Sequence, residues 1–342
     1  MGNFRCNYIA LIIFLVLPPC FFASSASTRT EAEALLQWKS SLLMSSSLNS
    51  WSLSNLRSLC SNWRGIVCNN SDGAAVSEIN LPYARLSGTL HHLDFTSFSR
   101  LTGFDISGNN FNGSIPPAIG NLPDLIGKLR ELQYLNLSCN NFSGVFPHQI
   151  GNLQKVWFLD LGLNSYLEAP DWSRVKSFPV LRHLSFAGNG FGSRFPDFIL
   201  GWNLTYLDLS ENYLKESIPE SLFTRLEKLE HLDLSFNKIF GPLSPNIDKL
   251  SNLKNLYLSF NSFQGEIPSS IGQLENLQIL YILDNEFNSS IPFELGRCTN
   301  LTHLDLSSNS LSGALPLSLS SLTKLSKLTI HSMGIFHQKL AC

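Results

Sequence analysis

Between residues 76 and 330 one spacing keeps returning. An apolar residue closes each unit, at Leu81, Ile106, Leu137, Leu161, Phe186, Leu209, Leu234, Leu258, Ile282, Leu306 and Ile330, in steps of 25, 31, 24, 25, 23, 25, 24, 24, 24 and 24 residues. The unit is clearest in LTHLDLSSNSLSGALP, Leu301 to Pro316, which reads L-x-x-L-x-L-x-x-N-x-L-x-G-x-hydrophobic-P. In the L-x-L step, the alternation of a strand sends the leucines inward and leaves the residues between them on the opposite face. Stacked units therefore share one parallel sheet with a variable outer surface.

A period in the low twenties with this leucine pattern is the signature of leucine-rich repeats, so the expected fold is an α/β repeat solenoid of about ten repeats over residues 76–330. The asparagine after the strand recurs as Asn109, Asn140, Asn164, Asn189, Asn212, Asn237, Asn261, Asn285 and Asn309. A side-chain amide carries both donors and acceptors, so a buried ladder of asparagines can satisfy the backbone where each strand turns out. That role is structural and is not a binding site.

A chain of 342 residues exceeds one ordinary compact domain, but a solenoid grows by adding units and needs no larger core. The formal net charge is −2 and no run of Lys or Arg occurs, which argues against capture of nucleic acid or anionic lipid. The partner expected is a protein, peptide or glycan. Residues 1–26 combine Arg5, an apolar run from Tyr8 to Leu17, Pro18 and Pro19, and small residues up to Ala26, the build of a secretory signal peptide. The run is too short to span a bilayer, which takes about 20 residues, and no later stretch is long and apolar enough.

Export suits the cysteines. Cys6 and Cys20 leave with the signal, Cys60 and Cys68 are the expected disulfide, and Cys139, Cys298 and Cys342 stand singly. Cys139 and Cys298 read as small half-buried thiols, and no second Cys or His lies at metal-ligand spacing, so neither metal nor cofactor is expected. Glycosylation acceptors occur at Asn69, Asn112, Asn136, Asn141, Asn203, Asn288 and Asn300. A glycan on Asn136, between two strand leucines, would cover part of the concave surface.

After the signal, Thr30-Glu31-Ala32-Glu33 has the pattern of a capping box, and Ala34, Leu35, Trp38 and Leu42 fall on one face, which predicts a helix from about Glu31 to Met44. Trp51 follows, then CSNWRGIVC, in which Trp63 and Ile66 can pack while a Cys60–Cys68 bridge closes a tight loop. Residues 27–75 form a cap over the open apolar end of the first repeat. The helix EAEALLQWKSSL, the C-x-x-W-x-G-x-x-C segment and the endings FNGSIP, FQGEIP and LSGALP together resemble the ectodomains of plant leucine-rich-repeat receptor-like kinases and receptor-like proteins. The resemblance covers about residues 31–330. It implies a right-handed superhelix with a parallel concave sheet and a glycosylated surface. It also implies a peptide or protein ligand perceived outside the cell, with a co-receptor ectodomain as a second partner.

The chain departs from that pattern in three places. The step from Ile106 to Leu137 is seven residues too long, and the surplus near Leu125 to Arg130 is expected to bulge from the convex side. The repeat at Leu161 lacks its glycine and runs into EAPDW, so its return should be irregular. Met333 stands where an asparagine belongs, and residues 331–342 form a non-repeat tail without the paired-cysteine cap, membrane helix or kinase of the receptor kinases. The expectation is an ectodomain that stops early, with a loosely held end beyond Ile330 prone to self-association, and with Cys342 able to link two chains.

No motif of nucleophilic, metal or phosphate chemistry is present. Asp105, Asp160, Asp208, Asp233 and Asp305 form a column with His183, His231 and His303 nearby, but these acids repeat with the strands instead of converging on one pocket, so an enzyme is not expected. Binding is better supported. Phe158, His183, Tyr206 and His231 share one outward column, Tyr257 and Tyr281 the next, and Phe236 and Phe260 stand just before the asparagine. Aromatic residues are enriched where partners bind; the competing reading is that these rings merely cover one another on a curved sheet. Two functions follow: a ligand-sensing receptor ectodomain that uses its concave face in signalling or defence, or a secreted protein similar to the plant polygalacturonase inhibitors that binds a pathogen enzyme.

Overall fold

The computed structural model describes residues 20–69, 75–120, 129–176, 178–193, 195–196, 199 and 203–330. Twelve strands form one sheet in chain order, from Ile66–Asn69 and Ala75–Asn80 to His303–Asp305 and Lys327–Thr329. The first pair is antiparallel. Every later pair is parallel and in register, as Leu207 with Leu232 and Leu256 with Leu280. The register follows from burial, since a slip by one residue would turn each inward leucine to solvent. Leu135, Leu159, Leu184, Leu207, Leu232, Leu256 and Leu304 are all fully buried.

The asparagine ladder closes each turn. In Asn261 the Nδ2 donates to the carbonyls of Leu234, Leu258 and Ser259, and Oδ1 accepts the N–H of Ile239 from the preceding repeat. One side chain thus ties two repeats together. The residue before each of these asparagines is left-handed, including Cys139, Leu163, Glu211, Phe236, Phe260, Asp284 and Ser308 at φ between 51° and 56°. That backbone costs a residue with a Cβ roughly 1–2 kcal/mol, which the amide bonds offset.

On the return side, Gly265 sits at φ 82°, where a Cβ would be strained, and Pro268 then starts the 3-10 turn Ser269–Gln273 with the backbone it prefers. Successive turns nearly touch: a Cβ on Gly272 would stand 2.3 Å from the carbonyl oxygen of Glu294.

The N-terminal helix spans Cys20–Ser41, so it starts earlier and stops sooner than expected. Thr30 lies inside it, not at its start; Arg29 and Glu33 pair across one turn at 2.8 Å. The end has a local cause. Ser40 and Ser41 turn their hydroxyls back onto the carbonyls of Gln37 and Trp38, and the chain then peels off so that Leu43 and Met44 donate to the Ser87 carbonyl. The Cys60–Cys68 disulfide is present, with Cα atoms 5.4 Å apart. Trp63 stacks on Trp51, Trp51 meets Trp38 at a 45° tilt, Trp38 stacks on Phe111 at 5.6 Å, and Phe111 stacks on Phe142, so the aromatic core of the cap runs straight into that of the repeats.

The return from the Leu161 repeat is irregular, as its sequence suggests. A second line of short strands pairs in sequence up to Tyr166–Glu168, but among the described residues that strand pairs with no later strand, and strand pairing resumes at Gly192–Ser193. Leu167 donates to the carbonyl of Asn164 in its own repeat, and Oδ1 of Asn189 is left without a partner among the described residues. Of the expected surplus near residues 125–130, residues 125–128 lie outside the described residues, as do the tail at 331–342 and the start of the signal segment at 1–19. Among the described strands Lys327–Thr329 forms the last edge. There Leu328 is 38% exposed, where its equivalent Leu304 is buried.

Candidate functional site

The concave surface carries three rows of side chains that the strand register fixes. In the first, Tyr134, Phe158, His183, Tyr206 and His231 lie on adjacent strands. Their rings stack face to face, with centroids 4.3, 4.1, 4.1 and 4.2 Å apart and planes within 15°. Strands about 4.8 Å apart leave room for one ring each and for no water between them. Phe158, His183, Tyr206 and His231 are thus brought together as their sequence positions implied. Tyr134 was not foreseen, although it stands a regular 24 residues before Phe158 and the same spacing could have found it. Trp157 also joins, edge-on to both Tyr134 and Phe158 at 6.1 and 5.8 Å.

Tyr257 and Tyr281 stand in the next row, in register with Asp233 and Asp305. They meet edge-to-face at 5.5 Å, and Tyr257 closes onto His231 at 5.4 Å, so the two rows form one continuous aromatic surface. The ammonium of Lys327 lies 5.2 Å from the Tyr281 ring. Phe236 and Phe260 stack at 4.2 Å and are 50% and 36% exposed. The rings do cover one another, but their edges remain half-exposed and the Phe236–Phe260 pair is open.

The aspartates serve the backbone. Oδ1 of Asp105, Asp208 and Asp305 accepts the N–H and the hydroxyl of the serine two residues on, and Asp160 and Asp233 accept the N–H of Gly162 and Ser235. Asn136 takes the same place, its Oδ1 accepting from Ser138 at 3.1 and 2.7 Å. Its amide is therefore committed to a turn, unlike the exposed Asn141, Asn203 and Asn288. Asn69 is also exposed, Asn112 is half-buried, and Nδ2 of Asn300 donates to the carbonyl of Glu275.

Burial sets the charge state of this surface. Desolvation between rings pushes the His183 imidazole down to about 4, and lowers His231 as well. It pushes the Asp233 carboxyl up to about 6, with the neighbouring Asp208 charge adding to the effect, and raises Asp160, Tyr206 and Tyr257. The surface thus resists charge of either sign at its centre.

Cys139 is half-buried, but Cys298 is fully buried and donates its S–H to the Ile271 carbonyl at 3.2 Å, which corrects the expectation of two half-buried thiols. Burial pushes the Cys298 thiol up to about 12. Among the described residues no three metal-ligating side chains gather.

Comparison with known proteins agrees with this geometry. A family profile described as "Leucine-rich repeat region" matches residues 167–340, "Leucine rich repeat N-terminal domain" matches 29–69, and "Leucine Rich Repeat" matches 100–122 and 131–153. The chain belongs to the leucine-rich-repeat family, and the curated relatives it matches are plant receptor-like kinases and receptor-like proteins. It is 38% identical over 120 residues to MDIS1-interacting receptor like kinase 2 of Arabidopsis thaliana, covering 34% of this chain and 11% of that protein. It is 32% identical over 193 residues to Receptor-like protein 41 of the same plant, covering 55% and 21%. Among solved structures it resembles the Arabidopsis receptor kinase HAESA in complex with the peptide hormone IDA and the co-receptor SERK1, at 29% identity and a TM-score of 0.74, over 89% of this chain and 53% of that one. It also resembles PEPR1 in the PEPR1–AtPEP1 crystal structure, at 29% identity and a TM-score of 0.65, over 89% and 48%. The chain therefore spans about half of these receptor chains, and a far smaller share of the curated relatives.

Proposed function

We propose that this chain is the ligand-binding surface of an extracellular or cell-surface receptor of the plant leucine-rich-repeat type, and that it recognises a peptide along its concave face. The observation that carries the reading is the continuous aromatic surface from Tyr134 to Tyr281, half-exposed on a sheet whose other side is packed with leucine. Rings stacked on neighbouring strands give contact area at little entropic cost, since stacking has already fixed them. The solved HAESA complex contains both a peptide and a co-receptor, which supports the same two kinds of partner here and a role in signalling.

A random linear peptide library panned against the immobilised full chain tests this. Replacing Tyr257 and Tyr281 by Ala should abolish capture of the enriched peptides and leave the far-UV circular dichroism unchanged. Leu317→Ala, at an exposed site on the return side, should leave capture as it was. Equal capture by the tyrosine variant and the parent would rule the reading out.

A further inference from the structure

The aromatic column does not run the length of the sheet. Its row continues from Tyr134 to Gly103 and then to Glu78, which the register places side by side. Gly103 contributes no side chain, so a lane one strand wide opens beside Tyr134. Phe158 covers one face of the Tyr134 ring; the other looks across the empty lane. A cavity of about 400 Å³ lies there, lined by Glu78, Gly103, Asp105, Gln133, Tyr134 and Trp157 among others. Glu78 leans into it: a Cβ built on Gly103 would stand 3.2 Å from Glu78 Cγ. Its carboxylate makes no ion pair among the described residues. Asp105 has Oδ1 held by Ser107, while Oδ2 lies 3.4 Å from the Tyr134 hydroxyl, at the rim of the same space. None of the described lining residues is basic.

We propose that this cavity is a socket for a guanidinium group, the side chain of an arginine in the bound peptide, and the proposal rests on the concave face being the peptide-binding surface. A flat cation fits a lane bounded by an aromatic face, on which it stacks, and by two carboxylates, which it can reach with its fork of N–H donors. Gln133 adds an amide acceptor at the wall. An ammonium ion is compact and strongly hydrated and would leave the ring face uncovered. The vacancy at Gly103 is the specific element, because a ring there would extend the column and close the lane.

The test is a titration of the full chain with N-acetyl-Gly-Arg-Gly-amide, followed by saturation-transfer NMR and the Trp157 indole resonance, beside the lysine and citrulline counterparts. The arginine peptide should bind, and the citrulline peptide, equal in shape without the charge, about tenfold more weakly or not at all. Glu78→Gln with Asp105→Asn should weaken the arginine peptide by about fivefold or more; Asn136 shows that an asparagine keeps this turn. Gly103→Phe should abolish binding. Its backbone is not left-handed and the nearest atoms are the flexible Glu78 stem, so the variant should fold, with circular dichroism to confirm it. No binding of the arginine peptide, equal binding of the citrulline or lysine peptide, or full binding by a folded Gly103→Phe variant would overturn the socket. Those results leave the panned peptides and the tyrosine variants untouched, so failure here is distinct from failure of the concave-face reading.

Discussion

His183 and Tyr206 lie face to face, their ring centroids 4.1 Å apart and their planes within 15°. Parallel in-register pairing sets that distance, since His183 is directly opposite Tyr206 and the strand spacing equals the thickness of one ring plus contact. Phe158 covers the other face of the imidazole at 4.1 Å, so the ring has lost water on both sides.

A pH dependence follows. The folded protein keeps His183 neutral down to about pH 4, whereas the unfolded chain takes up the proton near 6.5. Between these values the unfolded state binds more protons, so this group's contribution to stability is full above 6.5 and falls as pH drops towards 4. The loss should be about 1–2 kcal/mol after solvent screening. His183→Phe, which keeps the stack and removes the titration, should lose less stability between pH 7 and pH 4.5 in urea unfolding than the parent does.

Glu31 has the opposite sign. It is fully buried at the junction of the N-terminal helix and the first parallel strand, where Oε2 accepts the N–H of Val76 at 3.1 Å and Oε1 has no partner among the described residues. Desolvation pushes its carboxyl up to about 7, against the smaller opposing pulls of that N–H and of Arg100. The stability it supplies is complete below about pH 4.5 and is lost as pH rises through 7. Glu31→Gln keeps the acceptor without the charge, so it should be more stable than the parent by about 2 kcal/mol at pH 8 and nearly equal at pH 4.5, as chemical unfolding at the two pH values would show.

The asparagine ladder gives a graded test. Asn261→Ala removes three donated bonds and one accepted bond from a turn that also holds Phe260 left-handed, and should cost about 2–4 kcal/mol. Asn189→Ala should cost less, because its Oδ1 already lacks a partner. Thermal unfolding of the two variants would separate them; equal losses would show that the accepted bond contributes nothing.

Gly272→Ala places a methyl 2.3 Å from the Glu294 carbonyl oxygen, against backbone that cannot swing away. The two turns must part, with an expected loss of about 1–3 kcal/mol in urea unfolding. A variant as stable as the parent would show that the repeats are not so closely stacked.

What the sequence made legible is what repeats. Strand positions, the inward leucines and the asparagines could be read because each is one local rule used many times. Tyr134 stands a regular 24 residues before Phe158 and was legible by the same rule, while the 31-residue step that precedes it obscures only its match to Gly103. The helix was misjudged at both ends: Thr30 to Glu33 matches a start signal but lies inside a helix that begins earlier, and beyond its stop the chain is held by Ser87, over forty residues away. Cys298 looked half-buried because nothing in its own repeat says that it faces Ile271. The vacancy at Gly103 matters only once its neighbours are known to be rings and acids.

The aromatic surface as the seat of recognition is tested most directly by hydroxyl-radical footprinting of the full chain with and without a panned peptide, read out by mass spectrometry at each aromatic side chain. Phe236, Tyr257, Phe260 and Tyr281 should become several-fold less reactive on binding, while Phe240 and Phe293, both exposed but away from the concave rows, should not change. Protection of Phe240 or Phe293 with the four concave rings unchanged would contradict the account and move the binding surface to the other side of the solenoid.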